Sequence, residues 1–341
     1  MYAMISRHAT LFFPTILVAT AVLVSCLPQD LTERGSLGHS SYAKRSVKGP
    51  VINDDFPDPG LIRDSNGVWY AYSTSSKHGN IPYARSTDFE SWTIEGDSLP
   101  TLPAATSEGI WAPEVRQLGA NRYAMYYAIK TDAHAQRCIG VALANSLSGP
   151  FEPQRSDLIC DDANGGAIDP GTYLIPGGQK LYLIWKVDGV AIGSGSTPIK
   201  MQQLSEDGLS MTGEVTTLID REEIDGRSVE APSLIYWQGW HILFFSSNAY
   251  DTPLYDVSYA TARSPTGPYT KMPGPNAPLL ITNGGIIGPG GASVINVLDQ
   301  YVNMAFASLI GGDIKNGRAM YTAAKLCINS GTGVVKIDGP C

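Results

Sequence analysis

Phe56-Pro57-Asp58-Pro59-Gly60 is followed about ten residues later by Trp69-Tyr70-Ala71-Tyr72-Ser73, and this pairing of a turn with an aromatic run decides the fold because it recurs. Further turns stand at Ala112-Pro113-Glu114, Ile168-Asp169-Pro170-Gly171, Val229-Glu230-Ala231-Pro232 and Gly290-Gly291-Ala292. The runs that answer them are Tyr123-Ala124-Met125-Tyr126-Tyr127, Leu181-Tyr182-Leu183-Ile184-Trp185, Trp240-His241-Ile242-Leu243-Phe244-Phe245 and Tyr301-Val302-Asn303-Met304-Ala305-Phe306. Marked at Asp58, Glu114, Asp169, Glu230 and Ala292, the intervals are 56, 55, 61 and 62 residues. A near-constant period of that size is the signature of a repeat architecture.

Each unit adds a third apolar segment, such as Ile139–Ala144 or Val257–Ala262, and three units close on similar turns. These are Asp88-Phe89-Glu90-Ser91-Trp92, Ser148-Gly149-Pro150-Phe151 and Thr266-Gly267-Pro268-Tyr269. No stretch carries a sustained 3.6-residue apolar period with caps, so helices are expected to be few. Five units of three or four short strands predict an all-β five-bladed β-propeller. The first strand of each blade would line the axis, and the five marker turns would meet at one mouth of the channel.

Of 341 residues, 43% are hydrophobic and 16% charged, the balance of a chain that buries a core. The net charge of −8 repels phosphate backbones, so no nucleic-acid partner is expected. At the N-terminus Arg7 and His8 precede an apolar stretch from Leu11 to Val24, closed by Ser25 and Cys26. Residues 1–26 therefore read as a secretory signal peptide, too short and too interrupted by Pro14 for a membrane span. Residues 27–48 read as a disordered leader or propeptide, with a dibasic processing site at Ala43-Lys44-Arg45. This leaves a secreted, monomeric propeller over 49–341, with no membrane association once the signal is removed.

Cys26 would leave with the signal. The remaining Cys138, Cys160, Cys327 and Cys341 are an even set in an oxidising compartment and predict two disulfides. Four cysteines allow three pairings; the expectation adopted is the nearer pairs, Cys138–Cys160 and Cys327–Cys341. No C-x-x-C spacing points to a metal.

Asp58, Asp169 and Glu230 occupy what reads as one position in blades one, three and four, each beside a proline that stiffens its turn. Three carboxylates around a narrow axis repel one another and are desolvated, which raises at least one pKa. A protonated carboxyl beside an ionised one is the equipment of glycosidic bond cleavage.

The motifs Asp54-Asp55-Phe56-Pro57-Asp58-Pro59, Gly109-Ile110-Trp111-Ala112-Pro113-Glu114-Val115, Ala167-Ile168-Asp169-Pro170 and Val229-Glu230-Ala231-Pro232-Ser233 resemble those of glycoside hydrolase family 43. The resemblance runs from about Gly49 to Leu326. It implies a five-bladed propeller and an inverting hydrolase of the arabinanase, α-L-arabinofuranosidase or β-xylosidase type. By it Asp58 matches the general base, Glu230 the general acid, and Asp169 the carboxylate that tunes and orients that acid. Glu114 matches a position that is usually acidic but not catalytic. Trp111 and Phe56 would form an aromatic wall for the sugar, and Arg318 would contact substrate or a carboxylate. Many relatives carry a histidine in the blade-five turn that helps hold a metal or water at the channel centre. Gly290-Gly291-Ala292 departs from that, so no metal or other cofactor is expected and a calcium ion there is in doubt. The expected function is hydrolysis of arabinose- or xylose-containing plant polysaccharide. The alternatives are a galactan- or fructan-active glycosidase and a sugar-binding propeller without catalysis.

Overall fold

The computed structural model describes residues 47–339 except 104, 105, 107 and 179. The expected signal peptide, the expected processing site and Cys341 lie outside the described residues. Five antiparallel sheets follow one another around an axis. Blade one holds Gly60–Arg63, Trp69–Tyr72, Pro82–Ser86 and Thr93–Asp97, from the axis outward. Blade two holds Trp111–Gly119, Arg122–Ile129, Cys138–Ala144 and Glu152–Ile159; blade three holds Ala167–Leu174, Leu181–Val187, Ile199–Leu204 and Met211–Ile219. Blade four holds Val229–Trp237, Trp240–Ser247, Asp256–Ala262 and Thr270–Lys271. Blade five takes Gly290–Val297, Tyr301–Leu309 and Arg318–Ile328 from the C-terminal part of the chain, and its outer strand, Val47–Ile52, from before blade one. The leading strand Val47–Ile52 closes the ring by pairing with Arg318–Ile328. The described helical elements are short 3₁₀ turns.

The aromatic runs are the second strands, and their alternation explains the architecture. Successive side chains on a strand point to opposite faces. In blade two Ala124 and Tyr126 pack toward blade three, while Met125, Tyr127 and Ile129 pack toward blade one. In blade four Leu243 and Phe245 face blade three, and Ile242 and Phe244 face blade five. A strand apolar on both faces needs a neighbour on each side, and a ring of blades supplies one at every seam. Five hydrophobic clusters result, one per seam.

The inner strands begin with a bulge, and the residue in it is left-handed in every blade: Asp58 (φ 51°), Ala112 (φ 44°), Asp169 (φ 54°), Ala231 (φ 51°) and Gly291 (φ 62°). The residue after each is Pro59, Pro113, Pro170, Pro232 or Ala292. This proline column is the structural repeat. Against it the acidic markers are out of step. Asp58 and Asp169 share the left-handed position, Glu230 stands one residue before it, and Glu114 two residues after it. The expectation that Asp58, Asp169 and Glu230 are equivalent is corrected accordingly. Where an acid holds the left-handed position it is aspartate, which tolerates that region better than glutamate does.

Candidate active site

Asp58, Asp169 and Glu230 open on one axial cavity of about 1660 Å³, lined by the inner strands of all five blades. Asp58 Oδ2 accepts a hydrogen bond from Thr74 Oγ1 at 2.8 Å, and the same hydroxyl oxygen accepts from the Ala112 amide of blade two at 2.8 Å. Asp169 Oδ2 accepts from the Ala231 amide of blade four at 3.0 Å. Each carboxylate is therefore aimed by a contact that also joins two blades. Glu230 is held most fully. Its Oε2 accepts from Lys186 Nζ at 2.7 Å and Ser228 Oγ at 3.2 Å, and its Oε1 from Tyr255 OH at 2.8 Å.

The three do not share protons evenly. Burial pushes Asp58 up, against the Thr74 hydrogen bond and the charge of Arg318. Burial and the charge of Glu230 push Asp169 up to about 8, so it is protonated at neutral pH. Burial also pushes Glu230 up, but the charge and hydrogen bond of Lys186, with those of Tyr255 and Ser228, outweigh it and hold Glu230 below its ordinary value. Asp169 therefore favours the protonated form and Glu230 the carboxylate.

The other expected contacts divide. Trp111 lines the cavity and is 38% exposed, and the guanidinium of Arg137 stacks on its indole at 3.3 Å. Arg137 is fixed in turn by Glu108, at 2.5 Å, and by the Gly109 carbonyl at 2.9 Å. A large aromatic face held this way suits a sugar ring. Phe56 does not join it. It is 0% exposed and packs with Ile52, Leu61 and Trp69 in the seam between blades five and one, turned from the axis just before the Asp58 bulge. The aromatic wall expected there is corrected to core. Arg318 borders the cavity, but its guanidinium donates to the carbonyls of Tyr250, Gly288 and Ala307. Its charge reaches Asp58 and Glu230 from that anchored position.

Glu114 also borders the cavity. Its Oε1 accepts from the Thr172 amide at 3.1 Å and the Thr172 hydroxyl at 2.5 Å. Ser233 and Ser293 stand at the same blade position, and they accept from Val294 and Leu61 of the next blade. Glu114 is thus one of three latches between inner strands. At the remaining two seams the position is Gly60 or Gly171, where an added Cβ would meet the carbonyl of Pro113 at 2.0 Å or of Pro232 at 2.5 Å.

Lys186, Tyr255, Ser228 and Thr74 went unread in the sequence. Lys186 alone left a signal: a lysine closing the apolar run Leu181–Trp185.

The blade-five turn offers no side-chain ligand, and a Cβ on Gly291 would lie 2.7 Å from Asp58 Oδ1. Among the described residues, the group that gathers three metal-binding side chains is His134, Cys138 and Cys160. Cys138 and Cys160 are joined in a disulfide, as expected, so neither sulfur is a thiolate ligand. These residues do not fit a calcium gripped by a blade-five imidazole. Cys327 is disulfide-bonded as well.

The model of the glycosyl hydrolases family 43 matches residues 47–322. The chain is 26% identical over 267 residues to the extracellular endo-α-(1→5)-L-arabinanase 1 of Bacillus subtilis, covering 72% of this chain and 78% of that protein. A thermostable family-43 glycoside hydrolase superposes with a TM-score of 0.72 at 24% identity, covering 84% and 93% of the two chains. An endo-1,4-β-xylanase from Bacteroides thetaiotaomicron superposes with a TM-score of 0.70 at 26% identity, covering 86% and 97%.

Proposed function

The chain belongs to glycosyl hydrolase family 43 and is a glycoside hydrolase, and from that premise we propose that it is secreted and cleaves the α-1,5 linkages of arabinan with inversion. The observation that carries this reading is the placement of Asp58 and Glu230. They rise from blades one and four, which are not neighbours, and face one cavity. An inverting pair needs a gap of roughly 6.5–9.5 Å so that water enters between base and sugar. Two carboxylates from non-adjacent blades suit that need. Arabinan is favoured over other glycans by the arabinanase relative, and secretion by that relative's extracellular name and by the disulfide.

In this reading Asp58 takes a proton from water as the oxygen attacks the anomeric carbon. The glycosidic C–O bond breaks on the opposite face, and Glu230 gives its proton to the leaving oxygen. Asp169 and Glu230 hold one proton between their two carboxyls, and in this reading it is on Glu230 when the leaving oxygen is in place. Solvent then returns the proton from Asp58 to Glu230. Trp111 offers its indole to a sugar of the chain.

Glu230→Gln should lose about 10²–10⁴-fold on linear arabinan and less on a nitrophenyl arabinofuranoside, whose leaving group needs little protonation. Asp58→Asn should lose activity equally on both. Full activity of Glu230→Gln would remove it as the acid, and an NMR-observed product of retained configuration would remove Asp58 as the base. A second reading, xylan, follows from the fold match to the xylanase. Turnover of arabinoxylan backbone without turnover of arabinan would establish it instead.

A further inference from the structure

The partner of Glu230 stands where blades one and four place hydroxyls and blades two and five place Ala128 and Ala307. On the second strands Ile168 pairs with Lys186 and Glu230 with Ser246, and the Pro57 carbonyl accepts from the Thr74 amide. Thr74, Lys186 and Ser246 are therefore equivalent. Thr74 Oγ1 grips the Ala112 amide of the next blade, and Ser246 Oγ grips the Gly291 amide. In blade three the same position holds a 3%-exposed lysine, and it grips a side chain, Glu230, instead of an amide.

Lys186 also has a second carboxylate in reach. Its Nζ lies 3.0 Å from Asp188 Oδ1 and 2.7 Å from Glu230 Oε2. A buried cation between two acids can lean toward either without being left unpaired, and unpairing is the costly event. A general acid, by contrast, must have an oxygen free to carry a proton toward the leaving group. Both oxygens of Glu230 accept hydrogen bonds, one from Lys186 and one from Tyr255.

We propose that Lys186 is a positioning residue of the acid, turning its charge from Glu230 to Asp188 when a leaving-group oxygen arrives and so allowing Glu230 to take up the proton. The inference rests on Glu230 being the acid. Charged and titratable groups face the pair from the elements packed around it. Asp169 acts on Lys186 and Glu230, Asp58 and Arg318 act on the Glu230 side, and Arg137 acts on Asp188. Tyr255 faces Glu230 as a neutral donor.

The test is the alkaline limb of kcat/KM on linear arabinan, which reports the proton affinity of the acid within its cluster. A cation at this distance lowers a carboxyl pKa by about 1–3 units. Lys186→Met should move the limb to higher pH by about one unit or more. Asp188→Asn removes the alternative partner, commits Lys186 to Glu230, and should move the limb to lower pH. Opposite shifts uphold the proposal. Coincident limbs, or shifts in one direction, overturn it. If Lys186→Met shows no cooperative melt, Asp188→Asn decides alone: a downward shift supports the proposal and any other result rejects it. Glu230→Gln in the same series separates the two readings. Its full activity would reject Glu230 as the acid, whereas its loss beside unmoved limbs would reject only the role of Lys186.

Discussion

Glu114 carries a charge conflict outside the proposed chemistry. Burial pushes its carboxyl up to about 7, and the two hydrogen bonds from Thr172 only partly restore the ionised form. A carboxyl whose folded-state pKa exceeds its unfolded value favours folding fully below the unfolded value, about 4.5, and loses that contribution as pH climbs toward 7. Glutamine keeps the accepting oxygen for Thr172 and never ionises. Glu114→Gln should therefore melt close to wild type at pH 4.5 and above it at pH 8, by on the order of 1–2 kcal/mol, or a few degrees. A melting difference independent of pH would contradict this, and activity on arabinan should survive, because Glu114 serves as a latch. The same residue shows why a motif misleads at this scale. An acid in a proline turn looks alike in every blade, and only the bulge register separates the latch position of Glu114 from the position of Asp58 and Asp169.

At the scale of elements, the period of the aromatic runs was legible because a strand buried on both faces must read as a run of apolar and aromatic residues. Trp69–Tyr72 and Arg122–Ile129 follow that rule, and so the blades could be counted from sequence. The fate of Phe56 was not legible. It precedes the Asp58 bulge, and a bulge decides which way the preceding side chain points without leaving a composition signal. Lys186 was hidden for a different reason: its two acids, Asp188 and Glu230, come from a loop of its own blade and the inner strand of the next. Blade two adds a covalent element. Cys138 opens its third strand and Cys160 follows its fourth, 22 residues on. A loop of that length constrains the unfolded chain by about 3 kcal/mol. The double variant Cys138→Ala, Cys160→Ala should lower the guanidinium midpoint by that equivalent while the slope of the transition stays near wild type. A midpoint unchanged from the oxidised wild type would show that the bridge adds no stability.

For the whole molecule the decisive feature is how the ring closes. Four blades are built from consecutive strands, whereas blade five joins Val47–Ile52 to Arg318–Ile328, with Val47 opposite Ala323 and Ile52 opposite Met320. Val47 packs on the seam between blades four and five, and Ile52 is buried in the seam between blades five and one. Just beyond, the Phe56 amide donates to the Arg318 carbonyl at 2.9 Å, and Asp55 Oδ1 accepts from the Arg318 amide at 3.0 Å. The closure therefore holds the two sides of the proposed site together, since Asp58 lies across this seam from Gly291. Two truncations separate the contribution of the strand from everything before it, one beginning at Val47 and one at Asp54. The shorter chain loses the burial of Val47, Val51 and Ile52 and exposes the edge of Arg318–Ile328. Losing apolar burial of this kind costs roughly 2–5 kcal/mol per large side chain. Its melting temperature should lie roughly 10 °C or more below that of the chain beginning at Val47. Activity on arabinan should fall further than stability alone explains, measured well below the melt of the shorter chain, because Asp58 and Arg318 no longer share a fixed frame. Equal melting and equal kcat for the two chains would show that the ring closes through its inner strands alone.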